Sequence, residues 1–262
     1  MTESSTTSKR LQGKVVIITG GASGIGESTA RLFADHGARV VVIGDIQDEL
    51  GESVASSIGL HRCRYIHCDV TDEEQVKSMV EQTVQDYGKL DVMFSNAGIL
   101  SSCDQTILEL SLSTCDRLFA VNVRGMATCV KHAARAMVDG GVKGCIVCTA
   151  SIAATIGGDK HTDYIMSKHA VLGLVRSASR QLGEHGIRVN CVSPSAVPTP
   201  LMYKAYQMDA EGIEKAFKPL TSLKGEGLKV HNVSDAVLFL ASDQSAFVTG
   251  HNLVVDGGFL PL

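Results

Sequence analysis

A tyrosine, a lysine and a serine in the middle of the chain have the spacing of a proton-transfer site. Tyr164 and Lys168 lie four residues apart in T-D-Y-I-M-S-K-H, and Ser151 lies thirteen residues before the tyrosine. On a helix, residues four apart share a face, so the phenol and the ammonium can point into one pocket. A free tyrosine has a pKa of about 10, and a nearby cation favours its phenolate. Because this spacing also occurs by chance on amphipathic helices, it needs support from other features.

A glycine-rich segment near the N-terminus supplies that support. T-G-G-A-S-G-I-G follows a Val/Ile run and opens a helical pattern, which is the setting of a nucleotide-binding turn. Glycines let the backbone approach a pyrophosphate, and the N-terminus of the following helix offers amide donors and a positive dipole end. The spacing is wider than the common G-x-G-x-x-G. The residues expected to form this turn are Gly20, Ser23, Gly24, Ile25 and Gly26.

Asp45 indicates which dinucleotide is bound. It lies nineteen residues beyond Gly26, at the end of the second predicted strand. A carboxylate there accepts hydrogen bonds from the adenosine ribose diol and repels a 2′-phosphate. No lysine or arginine occupies the adjacent positions Gly44, Ile46 and Gln47. The pattern therefore predicts NAD rather than NADP, although without the glycines Asp45 would be read as a solvated acid.

Polar or small residues also follow the third, fourth and fifth predicted strands. Asp69 follows the third strand, where its carboxylate could bond an adenine amino group. Asn96, Ala97 and Gly98 follow the fourth, and Ser151 follows the fifth. In open α/β sheets, ligands bind outside the carboxyl ends of the strands. We therefore expect these residues to share one rim of a sheet.

The elements that must position these residues alternate along the chain. Continuous Val/Ile runs indicate strands buried on both faces, and repeated strand–helix units predict a single α/β domain with an open, doubly wound parallel sheet. The predicted strands are residues 14–19, 39–43, 65–68, 90–94, 145–148, 188–192 and 253–255. The predicted helices are residues 23–36, 47–57, 72–87, 112–138, 164–182 and 233–240.

The domain boundaries follow from composition. Residues 1–10 are expected to be a disordered polar tail, and residues 11–262 a single dinucleotide-binding and catalytic domain. The section 193–231 carries no strand pattern and is rich in Tyr, Met, Pro and Lys. A segment of this length in a compact domain is usually a lid or binding loop. We predict a substrate lid there, the alternative being a surface excursion with one helix.

Bulk properties exclude several classes of function. The 262 residues are 44% hydrophobic and 20% charged, and the net charge of −4 gives no indication of nucleic-acid or anionic-membrane binding. No run reaches the roughly 18 apolar residues of a membrane span. The N-terminus lacks the apolar region of a secretory signal, a shortened transit peptide being the alternative. We expect a cytoplasmic protein with no nucleic-acid or membrane partner.

The eight cysteines are predicted to be reduced thiols. Cys145 and Cys148 form a C-x-x-C, but they lie in an apolar run that reads as a buried strand. Residues three apart on a strand face opposite sides, so the two sulfurs should diverge. The histidines show no H-E-x-x-H spacing and no G-x-S-x-G elbow occurs, so no metal site and no serine-hydrolase site is expected.

The ordered set of motifs resembles the short-chain dehydrogenase/reductase family over residues 11–258. The matching segments are T-G-G-A-S-G-I-G, C-D-V at 68–70, N-A-G at 96–98, V-N-V around Asn122, Ser151, Tyr164, Lys168, S-P-S-A-V-P-T-P and D-G-G at 256–258. The resemblance implies a seven-stranded Rossmann-type sheet with helices on both faces, a homotetramer, and hydride transfer between a nicotinamide and a carbinol carbon. It also implies that Val70 and Val197 contact the cofactor.

The same resemblance implies a role for each catalytic residue. Tyr164 would be the general base that removes the alcohol proton, and Lys168 would lower the tyrosine pKa and bond the nicotinamide ribose. Ser151 would hold the substrate oxygen. Asn122, placed by the pattern inside a helix although asparagine is a mediocre helix former, would anchor a water in a proton relay. Thr199 would contact the nicotinamide carboxamide.

Within the family, K-H-A-V-L-G-L, G-I-R-V-N-C-V-S-P and V-V-D-G-G-F resemble the plant specialised-metabolism branch. That branch includes secoisolariciresinol, isopiperitenol, borneol and nepetalactol dehydrogenases. D-Y-I-M-S-K and S-L-K-G resemble its mint-type terpenoid enzymes. Two positions depart from the pattern: Ser95 stands where many relatives have a second asparagine, and Ser195 where many have glycine.

The leading functional hypothesis is an NAD-dependent alcohol dehydrogenase acting on a secondary alcohol or lactol of a small, apolar, cyclic metabolite, most simply a monoterpenoid. An apolar pocket with one polar clamp suits such a substrate. Lignan or phenylpropanoid alcohols are alternatives, as are a non-redox nepetalactol-type cyclase with NAD as a structural ligand and an inactive NAD-sensing protein. By position, the substrate pocket walls are predicted to be Leu100, Ile152, Ala153, Met202 and Tyr203.

Overall fold

A seven-stranded parallel sheet forms the centre of the molecule. The computed structural model describes residues 9–260, so all but the last two positions of the predicted tail over residues 1–10 lie outside the described residues. The strands are β1 (Val15–Thr19), β2 (Val40–Asp45), β3 (Cys63–His67), β4 (Val92–Ser95), β5 (Cys145–Thr149), β6 (Arg188–Pro194) and β7 (Asn252–Val255). Their order, β3-β2-β1-β4-β5-β6-β7, confirms the predicted doubly wound fold.

Burial on both faces explains the composition of the central strands. Every residue of β1, β2 and β5 is buried. Val16 of β1 pairs in register with Val41 on one side and Val92 on the other. From β1 the chain runs outward through β2 to β3 and then crosses back to β4 on the other side of β1. This reversal creates a crevice at the carboxyl ends of β1 and β4, where ligands of such sheets bind.

Helices cover both faces of the sheet. The helices are α1 (Gly24–Asp35), α2 (Asp48–Ile58), α3 (Glu73–Tyr87), α4 (Leu112–Phe119), α5 (Met126–Asp139), α6 (Thr162–Leu182), α7 (Pro200–Tyr206), α8 (Ala210–Phe217) and α9 (Val230–Ala241). Helices α3, α5 and α6 contribute to one apolar core, and α1, α2 and α9 to the other. Cys148 belongs to the first core and Cys145 to the second, so the C-x-x-C sulfurs do diverge as predicted.

The helix predicted over residues 112–138 is confirmed in extent but is not regular throughout. Helix α4 ends at Phe119, a π-helical turn spans Ala120–Gly125, and α5 continues from Met126. Such turns are rare and occur frequently at functional sites. Asn122 lies at the centre of this one and is fully buried. Hydrophobic periodicity cannot reveal one inserted residue in a helical ladder, because the apolar pattern continues through it.

Several strand boundaries also differ from the prediction by one or two residues, and those of β3 and β6 are examples. Strand β3 begins at Cys63, two residues earlier than expected, because β2 pairs Val41 with Cys63 and Val42 with Arg64. Strand β6 continues to Pro194, two residues longer than expected. The section predicted as a lid over 193–231 therefore starts inside the sheet. Its remainder forms α7, α8 and a short 3-10 turn at Lys218–Leu220 before α9 begins.

Two further properties concern the described part of the chain as a whole. Between residues 9 and 260, no helix is both long and apolar enough to cross a membrane. Over the same residues, no cluster of three or more His, Cys, Asp or Glu side chains has the arrangement of a metal site.

Candidate active site

A cavity of about 790 Å³ lies along the carboxyl ends of the strands. Its walls come from the loops after β1 to β6 and from α6, α7 and α8. It brings together most of the residues predicted from the sequence. Those that line it are Gly20, Ser23, Gly24, Ile25, Asp45, Asp69, Val70, Asn96, Ala97, Gly98, Leu100, Ser151, Ile152, Ala153, Tyr164, Lys168, Val197, Thr199 and Met202.

The turn after β1 fits a pyrophosphate. Helix α1 begins at Gly24, and the Ser23 side chain makes no capping hydrogen bond to it. The amide groups of the first turn therefore remain available to an anion at the positive end of the helix dipole. Gly24 has φ +56, and a Cβ there would lie 3.3 Å from Thr199 Cγ2. The absence of a side chain thus keeps this part of the cavity open.

Gly26 does not line the cavity, which corrects its predicted place among the cofactor contacts. A Cβ built on it would lie 2.0 Å from the carbonyl oxygen of Gly20. The residue is glycine because helix α1 packs directly against the preceding turn, a role that differs from contact with a ligand. Local spacing identified the glycine but not the side of the helix on which it lies.

Asp45 is buried and oriented by its own loop. Its Oδ2 accepts a hydrogen bond from the Ala22 backbone N–H at 3.0 Å, and its Oδ1 accepts two from Gln47, at 3.1 and 3.2 Å. A carboxylate has about four acceptor positions, so one remains for a ribose hydroxyl. Among the residues of 9–260 that line the cavity, the cationic side chains are Lys160 and Lys168, both in the segment around Tyr164.

Asp69 and Val70 form the wall beyond β3. The Oδ1 atom of Asp69 accepts a hydrogen bond from Thr71 N–H at 2.9 Å, and the Asp69 backbone N–H donates to Gln75 Oε1 at 2.8 Å. These bonds hold the Asp69 loop while its Oδ2 has no donor among the described residues. Val70 is buried, and a Cβ on Gly125 would lie 2.8 Å from its Cγ2. The two residues thus combine a free acceptor with an apolar surface, as an adenine ring requires.

Asn96 joins three strand ends rather than offering its side chain to a ligand. Its Nδ2 donates to the carbonyl oxygens of Thr19 and Gly20, at 3.2 and 3.1 Å. Its Oδ1 accepts from Thr149 Oγ1 at 2.9 Å. The Thr19 hydroxyl in turn accepts from the backbone N–H groups of Asn96 and Ala97. These hydrogen bonds hold the floor of the cavity in place between β1 and β4, where the strand order of the sheet reverses.

Tyr164 and Ser151 lie together at the end of β5. Ser151 precedes a 3-10 turn, and its Oγ accepts a hydrogen bond from Ala153 N–H at 3.2 Å. Burial raises the pKa of the Tyr164 phenol to about 12, and its hydrogen bond with Ser151 opposes that increase. At neutral pH the phenol is therefore protonated and can donate a hydrogen bond to a substrate oxygen.

Lys168 is buried on the same face of α6 as Tyr164. Its Nζ donates to the Thr149 carbonyl oxygen at 2.9 Å and lies 5.4 Å from the centroid of the tyrosine ring. Burial lowers the pKa of Lys168 to about 8. The ammonium therefore remains mostly protonated at pH 7. The phenol and the ammonium line the same cavity, as predicted. In the protein alone, however, burial has the largest effect on the pKa of Tyr164.

Asn122 is close to this group but does not line the cavity. Its Oδ1 accepts from Ile99 N–H at 2.8 Å, and its Nδ2 donates to Ile99 O at 2.9 Å and Ser167 Oγ at 3.2 Å. The carboxamide thus connects the loop after β4 to helix α6 and positions the helix that carries Tyr164. The π-helical turn is what brings this side chain inward.

Four of the five residues predicted to form the substrate wall line the apolar end of the cavity. Leu100, Ile152, Ala153 and Met202 line it, whereas Tyr203 does not. On α7, residues four apart share a face, so Tyr206 accompanies Met202 while Tyr203 points elsewhere. The four-residue spacing of Met202 and Tyr206 would have predicted this shared face if the start of α7 had been known.

Sequence reasoning missed several residues around Tyr164. His161, Ile165, Tyr206 and Phe217 also line the cavity. Asp163, fully buried, accepts hydrogen bonds from the Ser101 hydroxyl and from the Tyr164 backbone N–H. Ile165 follows Tyr164 directly, but no sequence signal distinguishes such neighbours from residues on the outer face of the helix.

Comparisons with known proteins find relatives that match almost the whole chain. A family model described as enoyl-(acyl carrier protein) reductase matches residues 20–260. The chain is 60% identical over 257 residues to a (+)-cis,trans-nepetalactol synthase of Nepeta racemosa, covering 97% of this chain and 96% of that protein. It is 58% identical over 250 residues to the (−)-isopiperitenol/(−)-carveol dehydrogenase, mitochondrial, of Mentha piperita, covering 95% and 94%.

A solved structure extends the comparison to the fold. A short-chain type dehydrogenase/reductase from Mycobacterium marinum superposes with a TM-score of 0.88 at 33% identity, covering 97% of this chain and 98% of that chain. The region matched by the family model includes the glycine turn and the positions of Ser151, Tyr164 and Lys168.

Proposed function

Because the chain belongs to the short-chain dehydrogenase/reductase family, we propose that it oxidises a secondary alcohol or lactol of a small cyclic monoterpenoid to the ketone or lactone, with NAD as the cofactor. The observation that carries this proposal is the convergence of Ser151, Tyr164 and Lys168 at the junction of a dinucleotide-sized crevice and an apolar chamber. We also propose a cytoplasmic homotetramer, on family resemblance alone.

NAD is supported by the side chains near Asp45. The carboxylate is held rigidly by Ala22 and Gln47 and retains acceptor capacity. No lysine or arginine from the described part of the chain lines that end of the cavity. A 2′-phosphate there would face a buried carboxylate without a compensating cation, which is electrostatically unfavourable.

The catalytic residues divide the proton transfer among them. When bound, the nicotinamide supplies the acceptor for the hydride that leaves the carbinol carbon. The Tyr164 oxygen accepts the hydroxyl proton of the substrate in its phenolate form, which has already released its own proton, while Ser151 donates a hydrogen bond to the same substrate oxygen. Bringing a phenol of pKa about 12 to act as a base near pH 7 requires roughly 7 kcal/mol of differential interaction. The Lys168 ammonium, fixed by Thr149, supplies part of it.

The apolar walls support a small hydrocarbon skeleton. Leu100, Ile152, Ile165, Met202 and Phe217 surround the catalytic residues. Such a chamber binds by burial of apolar area, and its few polar groups orient the reacting oxygen. The dehydrogenase named above from Mentha piperita, whose printed substrates are isopiperitenol and carveol, also supports a cyclic monoterpenoid.

A non-redox cyclase is a second candidate, favoured by a specific observation. A relative at 60% identity is described as a nepetalactol synthase. In the protein alone, Tyr164 is a protonated phenol adjacent to Ser151. Two such donors can polarise a carbonyl oxygen, which promotes ring closure of a dialdehyde without electron transfer. NAD would then be a structural ligand.

The experiment that separates the two candidates measures redox change and product together. The purified protein is incubated with NAD⁺ or NADP⁺ and a panel of cyclic terpenoid and lignan alcohols, nepetalactol as the lactol, and a reactive dialdehyde precursor. NADH formation at 340 nm in step with a ketone or lactone supports the dehydrogenase. Ring formation from the dialdehyde without NADH contradicts it and supports the cyclase.

A further inference from the structure

His161 is a polar residue in the apolar part of the cavity that the proposed reaction does not use. It lies three residues before Tyr164, directly precedes helix α6 and lines the cavity. Its φ of +59 is left-handed, a conformation that costs a non-glycine residue about 1–2 kcal/mol. Backbone strain of this kind persists where the surrounding structure imposes it, and it clusters at functional sites.

The surrounding structure does impose this conformation. The carbonyl oxygen of His161 accepts a hydrogen bond from Ile165 N–H at 2.9 Å. The N–H of the next residue, Thr162, donates to the carbonyl oxygen of Gln105 at 3.0 Å, and Gln105 is itself buried. The start of α6 is thus held from both sides, and these bonds fix the direction in which the imidazole leaves the backbone.

The imidazole has aromatic contacts but an unsatisfied nitrogen. Its ring lies edge-on to Tyr206, with centroids 5.7 Å apart, and Tyr206 is edge-on to Phe217 at 5.6 Å. Its Nδ1 atom is buried and has no hydrogen-bond partner among the described residues. Native proteins pair nearly all such atoms, because an unmade buried hydrogen bond costs about 1–3 kcal/mol.

The acids near His161 do not provide the missing partner. The Asp163 carboxylate is bonded to Ser101 and to the Tyr164 backbone N–H, and Asp104 pairs with Lys160 at 2.7 Å. Burial lowers the pKa of His161, so the ring is neutral near pH 7 and has one donor and one acceptor nitrogen.

We propose that His161 is a second polar anchor for the substrate, bonded to an oxygen other than the one held by Ser151 and Tyr164. This inference rests on the proposed function, which places the reacting oxygen at those two residues. It narrows the proposed substrate class to compact cyclic terpenoids with two oxygen atoms, such as lactols, and disfavours alcohols that have a single oxygen. Rotation about the histidine Cβ–Cγ bond has broad minima, so either nitrogen can meet the ligand.

The test compares two ligands that differ in one oxygen. The first is nepetalactol, and the second is its carbocyclic alcohol analogue, in which a methylene replaces the ring oxygen. Dissociation constants are measured calorimetrically for the wild type and for His161→Phe, which keeps an aromatic ring against Tyr206, and both proteins are loaded with NADH so that neither ligand is oxidised. We expect the variant to bind nepetalactol roughly tenfold or more weakly and the analogue less than threefold more weakly.

A second variant protects the test against misfolding. His161→Gly suits the left-handed backbone and removes both nitrogens, so it should show the same selective loss. Equal losses for both ligands, or no loss for either, would overturn the inference, since the ring would then be only a structural element. NADH formation from NAD⁺ is recorded in separate reactions: selective binding without NADH formation supports the anchor while contradicting the dehydrogenase.

Discussion

At the scale of single residues, burial acts in opposite directions on Tyr164 and Lys168. It disfavours the charged form of each, and therefore raises the pKa of the phenol and lowers that of the ammonium. The Ser151 hydrogen bond counteracts the effect on Tyr164. The pair is thus a poor acid–base couple in the protein alone, and the chemistry depends on what binds beside it.

Tyr164→Phe tests the role of the hydroxyl. If Tyr164 is the base, the variant should form NADH at least about a hundredfold more slowly, because general acid–base catalysis contributes roughly that much or more. NAD⁺ affinity should change little. Tyr203→Phe is the matched control, since Tyr203 does not line the cavity, and it should retain full turnover. An unimpaired Tyr164→Phe enzyme would refute the proposed mechanism.

The substitution Lys168→Met tests how much the buried ammonium destabilises the fold, through the pH dependence of the free energy of unfolding. The folded pKa of Lys168, about 8, lies below its unfolded value of about 10.4. Between these values the unfolded chain holds more protons, so wild-type stability should rise with pH. From pH 7 to pH 10 the wild type should gain about 2 kcal/mol relative to Lys168→Met. Urea unfolding at each pH measures this, and a pH-independent difference would contradict it.

At the scale of elements, the site depends on helix starts and interruptions. Helix α1 begins where its amides meet the cavity, and α6 begins at a strained residue, His161. The π-helical turn between α4 and α5 turns Asn122 toward the loop after β4. The left-handed residue and the π-helical turn depart from regular helix geometry and lie near Tyr164, whereas the start of α1 belongs to the glycine-rich turn.

Gly26→Ala tests the close packing of α1 against the turn after β1. The new methyl group would lie 2.0 Å from the Gly20 carbonyl oxygen, so the turn must move, at a cost of about 1–3 kcal/mol. We expect a lower melting temperature and at least tenfold weaker NAD⁺ binding. Gly173→Ala is the control, because nothing lies within 4 Å of a Cβ there, and it should keep or raise stability. Equal behaviour of the two variants would refute the packing argument.

At the scale of the whole molecule, the cavity extends along the carboxyl ends of the strands, from those on one side of the sheet's centre to those on the other. Its nucleotide end belongs to β1, β2 and β3, and its catalytic end to β4, β5 and β6. Asn96 connects these halves through Thr19, Gly20 and Thr149. Relative placement of cofactor and substrate therefore depends on a few buried polar contacts as well as on strand pairing.

Asn96→Ala tests this connection. The change leaves the Thr149 hydroxyl and two carbonyl oxygens without their partner, and it should lower the free energy of unfolding by about 2–4 kcal/mol. Cofactor affinity should fall with it. Gln181→Ala is the control: the Gln181 side chain is exposed and donates one hydrogen bond to Ser177, so its effect should stay within about 0.5 kcal/mol. Chemical denaturation checks both, and similar values would contradict the connecting role.

The fold was predictable, and most of the candidate site residues could be located, because both depend on local patterns. Val/Ile runs indicate strands that are buried on both faces. The four-residue spacing of Tyr164 and Lys168 indicates a shared helix face. The glycine turn and Asp45 follow from residue type and position after a strand. All of these signals lie within a few residues of the feature they predict, so the chain by itself determined the sheet and the candidate site.

Only the tertiary structure decided the remaining features, because they depend on contacts between distant segments. The rotation of α7 selects Met202 and Tyr206 instead of Tyr203, and the approach of α1 to its turn removes Gly26 from the cavity. The unpaired nitrogen of His161 and the pKa values of the catalytic pair arise from burial. Burial is a property of the assembled molecule, to which residues far apart in sequence contribute.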